Sequence, residues 1–224
     1  ADTWSDTTLP GAFNGSGENN VEFGQITSSV GRFIVISDAD RDVAYTDNGG
    51  TTWSTASNAL PATGFGELVF GAGKFIAINS GTTSAAYSTD GISWTGVTAP
   101  AAFAAATDIV WGNGKFVALG GTNGIMYSFD GITWYENALT LPLTATERKI
   151  AYGQGTFVIS SDDTDQVQYS HDGIYWQSYT LTGTATTGGF NAIAFGNPAR
   201  EGKFVMVLPG AGTAGKYAKI NTPA

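Results

Sequence analysis

The chain of 224 residues carries 10 Lys+Arg against 19 Asp+Glu, a net charge of −9, with no cysteine and a single histidine, His171. Ten scattered cations give no basic face for nucleic acid or an anionic membrane surface, missing thiols remove disulfides and thiolate-held zinc, and one imidazole excludes a site built from several histidines. No run of about 18 apolar residues is present to span a bilayer with a helix, and no basic-plus-apolar leader is read at the start.

Along the chain one phrase returns five times: Gly31-Arg32-Phe33-Ile34-Val35, Gly71-Ala72-Gly73-Lys74-Phe75, Gly112-Asn113-Gly114-Lys115-Phe116, Gly153-Gln154-Gly155-Thr156-Phe157 and Gly202-Lys203-Phe204. The phenylalanines at 33, 75, 116, 157 and 204 lie 42, 41, 41 and 47 positions apart. A second phrase follows each of the first four, Tyr45-Thr46-Asp47-Asn48-Gly49-Gly50-Thr51-Thr52-Trp53, then Tyr87-Ser88-Thr89-Asp90-Gly91-Ile92-Ser93-Trp94 and its copies at 127–134 and 169–176. The fifth repeat supplies Phe204 and Tyr217 but no tryptophan. The missing one stands at the other end, as Trp4.

A period of about 40–45 residues with four short strands per repeat is the signature of a propeller blade. In the second repeat the strands are predicted at Glu67–Phe70, Lys74–Asn79, Ala85–Ser88 and Ser93–Val97, with Asp90-Gly91 as a tight turn before the last. The expected fold is therefore all-β, a single domain over 1–224: a five-bladed β-propeller with blades at 19–57, 65–98, 107–137, 148–181 and 190–221 plus 1–8. The N-terminal strand is expected to complete the C-terminal blade in a velcro closure. Trp4, Trp53, Trp94, Trp134 and Trp176 are expected to pack between neighbouring blades, since a buried aromatic covers about 150–250 Å².

The phrase Ser-x-Asp-Gly-x-x-Trp resembles the Asp-box (BNR) repeat of sialidase-like propellers, one residue shorter than the usual form; the first repeat is nearer the longer form. The whole repeat is also similar to repeats of phage virion and tail-associated proteins. The resemblance implies that Asp47, Asp90, Asp130 and Asp172, with Trp53, Trp94, Trp134, Trp176 and Trp4, are structural turn residues remote from any catalytic face. A sialidase would also imply an arginine triad, and the four arginines here, Arg32, Arg41, Arg148 and Arg200, do not occupy matching inner positions.

Aligning the innermost strands places Asn20, Glu67, Asp108, Lys149 and Ala192 in one column, with Asn19, Thr107, Arg148 and Asn191 in the column before it. In a propeller these positions ring one mouth of the central channel, which makes Asn19, Asn20, Glu67, Asp108, Arg148, Lys149 and Asn191 candidate ligand-binding residues. The alternative is that the charged members satisfy one another around a water-filled channel. Glu67 and Asp108 could also supply the paired carboxylates of glycoside hydrolysis, which stand about 5–10 Å apart. Alternating carboxylates at Asp38, Asp40 and Asp42, and at Asp162, Asp163 and Asp165, could chelate calcium through oxygen or act as solvated loop charge. The Gly-x-Gly-Lys phrases lack the hydroxyl residue and helix of a phosphate loop.

No cofactor and no metal is expected. The leading expectation is a non-catalytic protein of a phage virion surface, a capsid decoration or tail-fibre component, whose partners are other virion proteins or a cell-surface glycan. The alternatives are a secreted lectin-like propeller and a sialidase-like glycoside hydrolase.

Overall fold

Pairs of residues in left-handed backbone geometry set the hairpins that open the second, third and fourth repeats. Ala72 and Gly73 have φ of 48° and 71°, Asn113 and Gly114 45° and 72°, Gln154 and Gly155 46° and 73°. Two successive positive φ angles make a two-residue turn whose twist matches that of the strands it joins. Pairing begins at once on either side: Gly71 faces Lys74, Gly112 faces Lys115 and Gly153 faces Thr156.

The computed structural model describes residues 6–10, 19–82, 84–100, 106–120, 124–137, 148–161, 166–180, 190, 192–196, 202–207 and 217–221, with the backbone alone at 19 and 217–221. The chain divides into two compact units, Ala1–Ala99 and Pro100–Ala224. In the first, β1 (Asn19–Gln25), β2 (Gly31–Ser37), β3 (Val43–Thr46) and β4 (Ser54–Ala56) form one sheet. A second sheet follows in β5 (Phe65–Gly71), β6 (Lys74–Asn79), β7 (Ser84–Ser88) and β8 (Thr95–Thr98). The second unit holds β9 (Asp108–Gly112), β10 (Lys115–Leu119), β11 (Ile125–Ser128) and β12 (Tyr135–Glu136). Next come β13 (Arg148–Gly153), β14 (Thr156–Ser161), β15 (Gln166–Ser170) and β16 (Gln177–Thr180). Its third sheet comprises β17 (Ala192–Gly196), β18 (Lys203–Val207) and β19 (Tyr217–Asn221).

All pairings are antiparallel between consecutive strands. The fold is thus all-β, with four four-stranded meanders, as the repeat predicts, and a last sheet of three strands among the described residues. The segment expected to add a fourth strand to the last sheet falls on residues 1–8. Of these, 1–5, with Trp4, lie outside the described residues, and 6–8 belong to no strand.

Burial falls from the middle strands to the last one. Every residue of β10 and β14 is buried, whereas β16 is exposed throughout. Middle strands are covered on both faces, which is why phrases such as Lys115-Phe116-Val117-Ala118-Leu119 read as nearly continuous apolar runs rather than alternating ones. In the first unit Ile34, Ile36 and Val43 of one sheet pack with Phe65, Leu68 and Phe75 of the next, and Trp94 leans on that cluster. In the second unit Val117, Leu119 and Ile125 meet Ile150, Phe157 and Ile159, with Trp176 against them. A further cluster joins Val158 and Val167 to Phe204 and Met206.

The first strands lie side by side within each unit, β1 by β5, and β13 between β9 and β17. A glycine at or next to the end of these strands allows that approach. A Cβ at Gly24 would sit 2.4 Å from the Phe70 ring, one at Gly112 2.2 Å from Tyr152, and one at Gly153 2.0 Å from Phe195. Each glycine therefore receives the aromatic ring that precedes the matching glycine of the next sheet.

Candidate functional site

The Ser-x-Asp-Gly turns are closed hydrogen-bond units. Ser88 Oγ donates to Asp90 Oδ1 at 2.9 Å and accepts from the Gly91 N–H at 2.7 Å. Asp90 Oδ1 accepts from the Ile92 and Ser93 N–H groups, both at 2.8 Å, and Trp94 Nε1 donates to the Gly91 carbonyl at 3.3 Å. The same pattern is repeated from Ser128 through Asp130 to Trp134, and from Ser170 through Asp172 to Tyr175. Burial alone would raise these three carboxyls. The backbone N–H groups and the serine hydroxyl outweigh it and hold Asp90, Asp130 and Asp172 below the ordinary carboxylate range.

The first repeat corrects the expectation for Asp47. Asn48, not Asp47, takes the inner place: its Oδ1 accepts from the Thr52 N–H at 3.0 Å and from Thr46 Oγ1 at 2.8 Å. Counted from the hydroxyl residue, Asn48 stands where Asp90 stands and Asp47 where Thr89 stands, and the extra residue of this repeat lies after Asn48. Asp47 is thereby released to Arg32, which binds it with two prongs, Nε to Oδ1 at 2.6 Å and Nη2 to Oδ2 at 2.7 Å. The Arg32 hydrogen bond holds the Asp47 carboxyl below its usual value.

Arg32 Nη1 also donates to the Asp90 carbonyl of the next sheet at 2.5 Å, and its guanidinium lies 4.7 Å from the Tyr45 ring. Lys115 repeats the reach in the second unit, donating to the Asp172 carbonyl while its ammonium stands 5.4 Å from the Phe129 ring. The cation that opens the second strand thus ties one sheet to the turn of the following sheet. The buried indole nitrogens of Trp53 and Trp176 have no hydrogen-bond partner among the described residues.

The inner-strand column is occupied by ties between neighbouring first strands. In the first unit Asn20 Nδ2 donates to Glu67 Oε2 at 3.0 Å. Beside it is Glu22, which the sequence reading did not single out although it lies two positions on, on the same face as Asn20. Burial pushes the Glu22 carboxyl up, against the opposing pull of the Phe70 N–H that it accepts at 3.2 Å. In the second unit Asp108 Oδ2 accepts from the Ile150 N–H at 2.8 Å, and Lys149 Nζ donates to the Thr107 carbonyl at 3.1 Å.

Arg148 is fully buried. Its Nη2 donates to the Gly120 carbonyl, its Nε and Nη1 have no partner among the described residues, and burial lowers its pKa. The structure brings Asn20 to Glu67 and Thr107 to Lys149. The Asn19 side chain and Asn191 lie outside the described residues.

Of the acidic loops, Asp162, Asp163 and Asp165 lie outside the described residues. Asp40 Oδ1 accepts from the Asp42 N–H at 2.9 Å and Asp42 Oδ1 from the Asn58 N–H at 2.7 Å. Among the described residues no three acidic or imidazole side chains, Asp38 included, converge as a metal-holding group. His171 is exposed and its Nδ1 stands 3.1 Å from Thr156 Oγ1.

No family model matches the chain, and no curated protein matches it. Solved structures do. Virginiamycin B lyase from Staphylococcus aureus superposes with a TM-score of 0.66 at 14% identity, covering 94% of this chain and 72% of the lyase. YCF48 bound to a D1 peptide gives 0.62 at 17% identity, over 87% of this chain and 64% of that one. The GH74 enzyme of Niastella koreensis gives 0.61 at 18% identity, over 91% of this chain but only 30% of its own. Sheets and neighbours together place the chain in the β-propeller class.

These likenesses correct the expectation that the chain is not an enzyme: a lyase and a glycoside hydrolase are built on the same fold. A fold sets where loops converge, and catalysis depends on the side chains placed there. The missing sialidase-type arginine set therefore does not separate this chain from catalytic propellers.

Proposed function

We propose that the chain is a five-bladed propeller of the Asp-box kind, closed by its N-terminal strand, and that it serves on a phage virion surface as a capsid decoration or tail component. It binds a virion partner or a cell-surface glycan. The observation that carries this reading is the division of labour within the repeat. The residues common to the repeats, and the charged inner column, are engaged in turns and inter-sheet ties, while the side chains that differ between repeats stand exposed at the outer turns. Imaging of the particle tests it: copies at symmetric positions on capsid or tail are expected, and a protein absent from purified particles overturns it. The closure is tested separately. Trp4→Ala should lower the unfolding free energy of the whole chain by an amount typical of a deleted core aromatic, about 3–5 kcal/mol, and a change near zero removes the closing strand.

A second reading, a glycoside hydrolase with Glu67 among its carboxylates, is favoured by the likeness to the GH74 enzyme. Cleavage of fluorogenic glycosides that Glu67→Gln abolishes would support it, and no turnover by the unaltered chain removes it.

A further inference from the structure

In a repeat protein the shared residues are architecture, so each repeat is a control for the others. Three exposed aromatics break the pattern. Phe129 stands where the second and fourth repeats carry Thr89 and His171, Tyr135 where they carry Thr95 and Gln177, and Tyr175 where the second and third carry Ser93 and Thr133. Their exposures are 54%, 46% and 75%.

The rings of the first two meet the repeated Tyr127. Tyr127 and Tyr135, paired across β11 and β12, are stacked at 5.4 Å with 24° between planes. Phe129 stands nearly upright to them, at 82° and 5.8 Å from Tyr127 and at 63° and 6.5 Å from Tyr135. The result is a floor of two stacked rings with a wall at its edge. The turn that bears Tyr175 is fastened alongside, through Lys115 to the Asp172 carbonyl and Asn137 Nδ2 to the Ile174 carbonyl. Asp130, exposed in the turn next to Phe129, adds a carboxylate beside them.

We propose that this aromatic corner is a binding site for a neutral glycan. It rests on the reading of the chain as a binding module and names the site and ligand class. A pyranose ring offers an apolar C–H face of the size of one aromatic ring, to lie on the tyrosine floor against Phe129, and hydroxyls that donate to Asp130. Stacked rings also receive nucleic-acid bases, but that binding needs a cationic groove, and this chain has a net charge of −9. A protein partner needs about 800 Å² on each side. Three half-exposed rings, at about 150–250 Å² each when wholly covered, present only the footprint of one or two sugar residues. Asp130 and the net charge of −9 repel sialylated or uronic glycans, so neutral chains are preferred.

The test is a glycan array followed by calorimetric titration with neutral hexaoses, such as those of glucose, mannose and xylose. The double variant Phe129→Thr/Tyr135→Thr carries what the second repeat already has at those places and should keep its melting midpoint. It is expected to lose at least tenfold in affinity, and Tyr175→Ser to lose less. The converse variant, Thr89→Phe/Thr95→Tyr, should raise the stoichiometry from one site to two.

Four results overturn the proposal: no neutral glycan bound, undiminished binding by the double variant, a preference for acidic glycans, or a self-associated chain that the double variant renders monomeric. Particle imaging reports separately. Copies on the particle without glycan binding remove this site and leave the virion reading; glycan binding without particle association does the reverse.

Discussion

The closing turns of the first and second repeats perform one task with different chemistry. In the second, the carboxylate of Asp90 gathers two backbone N–H groups and a serine hydroxyl. In the first, the neutral amide of Asn48 gathers a backbone N–H and a threonine hydroxyl, and its own amine donates to Thr52 Oγ1 at 2.8 Å. The turn therefore requires an acceptor at one position, not a charge. Where an amide meets that need, the carboxylate one residue earlier is free to hold Arg32, and Arg32 in turn reaches the second repeat's turn. Asp47 occupies the position of Thr89, Phe129 and His171 in the sister repeats, and there it holds the cation that connects two sheets.

Breaking that connection should have the largest effect. Arg32→Met removes a two-pronged pair with a half-exposed carboxylate and the bond to the Asp90 carbonyl, and is expected to cost about 2–3 kcal/mol in urea unfolding. Next is Asp90→Ala, which leaves two N–H groups without an acceptor and should cost about 1–2 kcal/mol. Asp90→Asn, copying Asn48, should cost no more than about 0.5 kcal/mol if an acceptor alone is needed. A loss as large as that of the alanine variant would show that the charge matters.

Acid sharpens the same contrast. Asp47, Asp90, Asp130 and Asp172 have folded-state pKa values below their unfolded ones. Their contribution is therefore present above the unfolded value, about 3.9, and is lost as pH falls through the lower folded values. The melting midpoint should drop in that window, and Asp90→Asn should flatten the drop. Glu22 runs the other way. Burial raises its folded value, so its contribution is present at low pH and is lost as pH rises through the folded value. Glu22→Gln, which keeps the oxygen that accepts from Phe70, should melt higher than the parent at pH 7, and the gain should vanish near the ordinary glutamate value of about 4.3.

The smallest expected effect lies at the opening turn. Ala72 holds φ of 48° where Asn113 and Gln154 stand in the sister turns. Ala72→Asn should stabilise by about 0.5–1 kcal/mol, because asparagine tolerates left-handed geometry better than alanine does.

Much of the architecture is written in short-range chemistry. The Gly-x-Gly pairs, the apolar middle strands and the Ser-x-Asp-Gly turns need only neighbours in sequence, so spacing alone reveals their number and order. The polar inner column is legible as a set of positions but not as a set of bonds. That Asp108 would accept from the Ile150 N–H, or that Arg148 would be wholly buried beside Gly120, depends on how closely two first strands approach. Asn48 could have been read by counting from Thr46. Glu22 is visible only as a second polar residue on the same strand face.

The amino-acid sequence by itself determined an all-β chain of repeated antiparallel meanders, because turn geometry and strand burial are set within a few residues of each glycine and serine. Only the tertiary structure decided which polar groups meet across sheets, that Asp47 serves Arg32 instead of its own turn, and that Tyr127, Phe129 and Tyr135 make one exposed corner. Those outcomes depend on distances between segments far apart along the chain, which close packing fixes and periodicity does not encode.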